Sequence, residues 1–306
     1  MNPTSPAFEA RARLPLRALS FLGRLLVFFW LLHALVFALF DLLPGAEFLQ
    51  SGWAGVDPAL LASTRERLGL SGTWFERYWS SLTHLLHGDL GRSVAGGYPV
   101  SELFANRIWN SVPQWSGAAT LCVLAIPLGM VFCTRRIGLP RRVWLFTSHA
   151  LLIPQFMAAM VLFAFYLSAV SPWIPQDFDT FARGCFAVLS AALMPAGMLF
   201  IAASNSARSI SQEQFATTYL AMGMSWTQIR WRVLRNVLAA MRPLIGRVIL
   251  ALLTGTVFSE LTFSINGVGK LFVDSLRSSD WPTMQSWVLF VGAITITVSL
   301  MERKPA

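Results

Sequence analysis

The chain has 306 residues, of which 55% are hydrophobic and only 13% charged, with a mean hydropathy of +0.56 and a formal net charge of +9. Water-soluble chains carry roughly 25% charged residues, so a pair of ordinary soluble domains is excluded and lipid is the solvent for most of this sequence. Of the 24 basic residues 22 are Arg, a surplus that suits the cytoplasmic loops of a membrane protein. No basic-aromatic motif or helix-turn-helix stands apart from the apolar runs, so nucleic acid is not an expected partner. Cys122, Cys133 and Cys185 lie inside apolar runs without C-x-x-C spacing and read as small core side chains.

A helix needs about 20 apolar residues to cross the hydrocarbon core, and six runs of that kind follow in order. A cytoplasmic segment, residues 1–20, precedes the first span at 21–43, which Leu43-Pro44-Gly45 closes. That run is too long for a signal-peptide core and no small-residue cleavage site follows it, so a retained anchor is expected. An external segment at 44–111 comes next, polar enough to fold on the membrane surface, with short helices expected at 58–68 and 73–86. The transmembrane core, 112–306, holds the second span at 112–133, the third at 143–170 with Pro154 inside it, and the fourth at 184–203. A loop at 204–243 separates these from the fifth span at 244–263 and the sixth at 284–301. The fold class expected is therefore all-α and polytopic.

Arginine placement sets the orientation. With the N-terminus inside, the cytoplasmic segments hold sixteen basic residues and three acids (Glu9, Glu213, Glu302). The external segments hold eight basic residues and ten acids, which leaves Asp41 and Glu260 at membrane depth. Both termini are expected inside.

The loop at 204–243 has its own pattern. Ser211 and Gln212 offer an N-cap, and Phe215, Tyr219 and Met222 recur at i, i+4 and i+7 on one stripe. Gly223 can take positive φ and turn the chain. Ser225 then opens a second helix on which Trp226, Ile229, Val233 and Val237 share a face while Arg230, Arg232 and Arg235 leave it. By periodicity alone the pair is either a plug for a groove on another protein or two helices lying on the bilayer.

The loop resembles the E-A-A-x-x-x-G coupling loop of ABC importer permeases, in the form found in the dipeptide and oligopeptide permease family. Gly223 stands for its glycine, and Leu234-Arg235-Asn236 followed by Pro243 for the signature after it. Other landmarks fall in the family's order. These are Leu43-Pro44-Gly45, Arg67-Leu68-Gly69-Leu70, the run His87-Gly88-Asp89-Leu90-Gly91-Arg92-Ser93, Ile126-Pro127-Leu128-Gly129, Ile153-Pro154-Gln155-Phe156 and Met194-Pro195-Ala196. Glu260, Phe263, Gly267, Gly269 and Leu271 follow, then Asp280-Trp281-Pro282. The chain departs from the family pattern at Tyr219 and Met222, at Ile265-Asn266-Gly267, and in ending soon after the sixth span.

The resemblance implies a transport subunit, not an enzyme, in a bacterial inner membrane. It implies a second homologous permease, two cytoplasmic ATPase subunits and an external substrate-binding protein as partners, with lipid around them. ATP would be bound by the ATPase subunits and no cofactor by this chain. Phe215, Tyr219, Met222 and Gly223 would form the ATPase-docking plug, with Arg235 and Asn236 bracing the second helix of the loop. The solute would be small and peptide-like, although the family also moves nickel and sugars.

Further residues carry paired readings. Glu260 is either a gate or pathway group or a structural hydrogen-bonding partner of a neighbouring helix or the Gly267 loop. Pro154 and Pro195, with Pro127, free carbonyls inside the bilayer and either line the path or serve packing. His84 and His87 have metal-like H-x-x-H spacing without a completing ligand set, and Gly267-Val268-Gly269-Lys270 lacks the spacing of a phosphate loop. A rival function is a secondary transporter or channel with Glu260 as ion or proton site, which calls for polar groups in several spans and inverted repeats. An intramembrane enzyme needs a motif such as H-E-x-x-H or G-x-S-x-G, and neither is present.

Overall fold

The computed structural model describes residues 6–41, 72–134, 153–212 and 221–302. Among them all regular structure is helical: α1 (Pro6–Asp41), α2 (Trp74–Leu86), α3 (Val100–Thr134), α4 (Gln155–Phe165), α5 (Gln176–Gln212), α6 (Trp226–Met241), α7 (Ile245–Thr262), α8 (Val268–Arg277) and α9 (Trp281–Glu302). Six stretches among the described residues are long and apolar enough to cross a membrane, namely 19–39, 100–131, 155–173, 176–207, 231–262 and 281–301.

Boundaries differ from expectation where no breaker residue stands. Between Val100 and Val112 there is neither Gly nor Pro, so α3 begins twelve residues before the expected second span. The fourth span likewise lies within a helix of 37 residues, about 55 Å long at 1.5 Å per residue, which outruns the ~30 Å hydrocarbon core. Ser211 and Gln212, expected to cap a separate helix, are instead the last residues of α5. Pro154 immediately precedes α4, and its carbonyl accepts from the amides of Met157 and Ala158 at 2.9 and 3.1 Å. The expected helix at 58–68 and the start of the third span at 143–152 lie outside the described residues, as do Leu43-Pro44-Gly45 and Arg67-Leu68-Gly69-Leu70.

The chain forms two compact units, Met1–Ala105 with Asp274–Ala306, and Asn106–Val273. In the first, α1 lies along α9, with Leu32 over Gly292. Thr73 caps α2: Glu76 N–H donates to Thr73 Oγ1 at 3.4 Å, and Thr73 N–H donates to Glu76 Oε2 at 2.8 Å. That amide holds the Glu76 carboxyl below its ordinary value. The loop after α2 folds onto the start of α9. Ser93 Oγ and Thr283 Oγ1 donate to Asp280 Oδ2 at 2.5 and 2.8 Å, and the Val94 amide donates to Asp280 Oδ1 at 3.0 Å. Two sequence landmarks separated by 187 positions therefore form one buried latch.

The second unit is built on α5, against which α4, α6 and α7 pack. Apolar side chains of α6 (Val233, Val237, Met241) enter a core with Cys122 and Met130 of α3, Leu199, Ala203 and Ala207 of α5, and Val248 of α7. A separate aromatic cluster gathers Phe163, Tyr166, Phe186 and Phe263, with Phe163 edge-on to Phe263 at 5.3 Å. Past α4 the third span continues as a π-helical turn, Tyr166–Val170, and a 3-10 turn, Ser171–Trp173.

Candidate functional site

The coupling candidates begin at Gly223, whose φ is +76°. L-residues pay for that conformation and glycine does not, so the elbow expected there is present. Met222 beside it is 69% exposed. Behind the elbow the Ser225 amide donates to Gln228 Oε1 at 3.1 Å, which opens α6. Val233 and Val237 of the expected apolar face are buried, while Arg232, Arg235 and Asn236 are exposed. One side of α6 is thus fixed to α5, and at the elbow Met224 packs on the same core while Met222 is exposed. A 3-10 turn, Arg242–Leu244, joins α6 directly to α7, so a displacement of α6 reaches the fifth span without an intervening loop. Phe215 and Tyr219 lie outside the described residues.

Glu260, fully buried, caps α8. Its Oε2 accepts from the Lys270 amide at 3.0 Å, and the Gly269 amide also faces it. Ser111 Oγ of α3 donates to Oε1 at 2.5 Å and accepts from the Val268 amide at 2.8 Å. A carboxylate at a helix N-terminus satisfies orphan amides and suits the helix dipole. The loop must come very close for this to work: a β-carbon at Gly267 would overlap the Glu260 carboxylate, and one at Gly269 would lie 2.6 Å from the Val257 Cα. Of the two readings of Glu260, this geometry supplies the structural one. Polar pairs continue down the same helix pair, with Gln114 donating to Ser259 and Trp115 Nε1 to Thr256 Oγ1 at 3.1 Å.

Pro195 is buried inside α5. Proline lacks the N–H that the carbonyl four residues earlier would receive, so Ala191 O loses its helical donor. Gln155 Nε2 reaches that carbonyl at 3.4 Å and Ala251 O at 2.6 Å. Gly255 makes room, since a β-carbon there would sit 2.6 Å from Gln155 Nε2. One amide therefore ties α4, α5 and α7. Gln155 and Ser111 were not among the residues expected to matter. A buried glutamine in an apolar run was the available signal for the first, and Ser111 carried none.

The histidine pair is occupied locally: His84 Nδ1 lies 3.1 Å from Asp89 Oδ2, and His87 Nδ1 lies 2.7 Å from Thr83 O. The Gly91 amide, chiefly, holds the Asp89 carboxyl below its ordinary value. Among the described residues no three His, Cys, Asp or Glu side chains are grouped to hold a metal.

Six apolar stretches among the described residues, long enough to cross a membrane, and a glycine turn leading into α6 define a multi-pass membrane protein with the architecture of a transport permease. Residues 125–301 match the family described as binding-protein-dependent transport system inner membrane component, and the chain belongs to that family, whose members are permease subunits of ABC importers. It is similar to the glutathione transport system permease protein GsiC of Pectobacterium atrosepticum, 28% identical over 274 residues that cover 87% of this chain and 88% of that protein. It is also similar to the nickel import system permease protein NikB of Staphylococcus aureus, 25% identical over 285 residues covering 91% and 85%. Both relatives are named as transport permeases, and transport, not catalysis, is the activity of this class.

Proposed function

We propose that this chain carries a small peptide-like solute across a bacterial inner membrane, with both termini cytoplasmic, and takes its driving force from ATPase subunits docked at the Gly223 elbow. The observation that carries this reading is the left-handed turn at Gly223 with Met222 exposed, at the entry to α6, whose Val233 and Val237 are buried in a core with α5. Phe215, Tyr219, Met222 and Gly223 form the docking plug, and Arg235 and Asn236, exposed on α6, brace that second helix. Two ATPases bind and hydrolyse ATP, a second homologous permease completes the pathway, and an external binding protein delivers solute. Closure of the ATPases moves the elbows, and α6 passes that motion as a rigid body to the fourth and fifth spans.

The peptide-like solute is supported by resemblance to the dipeptide and oligopeptide permeases and by the glutathione permease among the relatives. The nickel permeases at similar identity make metal the competing solute. The ion-site alternative is disfavoured because the Glu260 oxygens are engaged by Ser111 and the amides at the start of α8. Gly223→Pro tests the proposal, because proline fixes φ near −65°. The variant is expected to insert normally and to lose binding-protein-dependent uptake, and unimpaired uptake would contradict the docking role.

A further inference from the structure

Helix α2 has three faces. On a wheel of 3.6 residues per turn, Tyr78, Ser81 and Trp74 point one way. They pack on the first span: Tyr78 is buried with its ring 5.4 Å from His33 and 5.5 Å from Phe37, and Trp74 lies 5.7 Å edge-on to Phe37. Ser81 Oγ lies 3.3 Å from His33 Nε2. Glu76, Ser80 and His84 face another way and are exposed. Between these faces Phe75, Trp79 and Leu86 fall within one sector about 40° wide, and they are 66%, 57% and 74% exposed. A helix in water beside a span would not place its largest apolar side chains there.

Depth identifies what covers them. The first span runs from Leu19 to Leu39, so His33 lies six residues inside its end, about 9 Å at 1.5 Å per residue. A helix whose Ser81 meets His33 and whose Trp74 meets Phe37 is held beside the last turns of that span, about 3–9 Å inside its apolar end. The same turns of α1 expose Leu31, Leu35 and Leu39, the lipid-facing surface of a span, on the side of α1 away from the His33 and Phe37 contacts with α2.

We infer that α2 is an interfacial membrane helix, lying in the plane of the bilayer with Phe75, Trp79 and Leu86 in the headgroup–acyl boundary and Glu76, Ser80 and His84 in water. Aromatic side chains with an apolar body and a polar edge favour that level. The segment after α2 reaches Ser93 and its bond to Asp280, so lipid anchorage of α2 sets the height at which that latch is held. The depth of α2 does not depend on the coupling role of Gly223; only the leaflet, the outer one, follows from the orientation proposed above.

The test uses the full chain assembled with its partner subunits in phosphatidylcholine–phosphatidylglycerol nanodiscs. Nitroxides are placed one at a time at Phe75→Cys, Trp79→Cys, Leu86→Cys, Glu76→Cys, Ser80→Cys and His84→Cys, in a background where Cys122, Cys133 and Cys185 are alanine. Collision with oxygen is compared with collision with an aqueous nickel chelate. At 75, 79 and 86 oxygen should dominate, with the chelate dominating at 76, 80 and 84. Chelate access at all six would place α2 in water, and exclusion of both quenchers from 75, 79 and 86 would place a protein partner there; either result overturns the inference. Where the cysteine-free background fails to assemble, p-benzoylphenylalanine at position 75 in the native-cysteine chain gives the same decision. Photolysis should yield lipid adducts, and adducts to an external binding protein or to the second permease would overturn the proposal.

Discussion

The Gln155 clasp makes a quantitative prediction. Gln155→Leu removes one short bond to Ala251 O and leaves Ala191 O, already deprived by Pro195, with no donor. An interhelical hydrogen bond in a membrane contributes about 0.6 kcal/mol on average, and an orphaned buried acceptor costs about 1 kcal/mol or more. The variant should therefore lose about 1.6 kcal/mol. Pro195→Ala restores an N–H at position 195 that Ala191 O can accept within α5. In that background Gln155→Leu should cost only about 0.6 kcal/mol, since the orphan no longer arises. The coupling of roughly 1 kcal/mol is about a fivefold change in equilibrium constant and exceeds the few tenths over which independent sites add. Reversible unfolding of the four proteins in dodecyl maltoside micelles titrated with dodecyl sulfate measures it. Equal costs in the two backgrounds would refute the idea that Gln155 serves the carbonyl freed by Pro195.

Two further outcomes follow from the capped loops. Gly267→Ala forces a methyl group against the Glu260 carboxylate and should strip α8 of its cap, read as increased amide exchange at Val268, Gly269 and Lys270; unchanged protection there would contradict the assignment. Asp280→Asn leaves one oxygen to accept from Ser93, Thr283 and Val94, where the carboxylate offers two. It should destabilise the first unit by about 1–3 kcal/mol and expose residues 91–94 to proteolysis in detergent, and wild-type resistance would show that the latch contributes little.

How much of this was legible in the sequence depends on the signal each feature carries. Apolar runs of about 20 residues identify spans because lipid leaves a backbone no other choice, and the fifth and sixth spans coincide with α7 and α9 to within three residues. Helix ends in water carry weaker signals than spans, so α5 runs past Ser211, and α3 starts at Val100, just after Gly96, Gly97 and Pro99, where a count of apolar residues does not yet register a span. Gly223 was readable because only a glycine needs no compensation at positive φ. Glu260 and Pro195 were visible as costly residues at membrane depth, yet what offsets their cost was not. Ser111 and Gln155 come from helices remote in sequence, and tertiary packing alone brings a donor to each acceptor. The Ser93–Asp280 latch was present as two separate motifs whose meeting no periodicity announces.

The coupling role of the elbow is tested most directly by one labelled cysteine. With Met222→Cys as the sole thiol in the assembled importer, a short bifunctional reagent should join this chain to an ATPase subunit. An impermeant maleimide should fail to label it in sealed right-side-out vesicles until they are opened. Labelling of intact vesicles, or cross-linking only to lipid or to the external binding protein, would contradict the account.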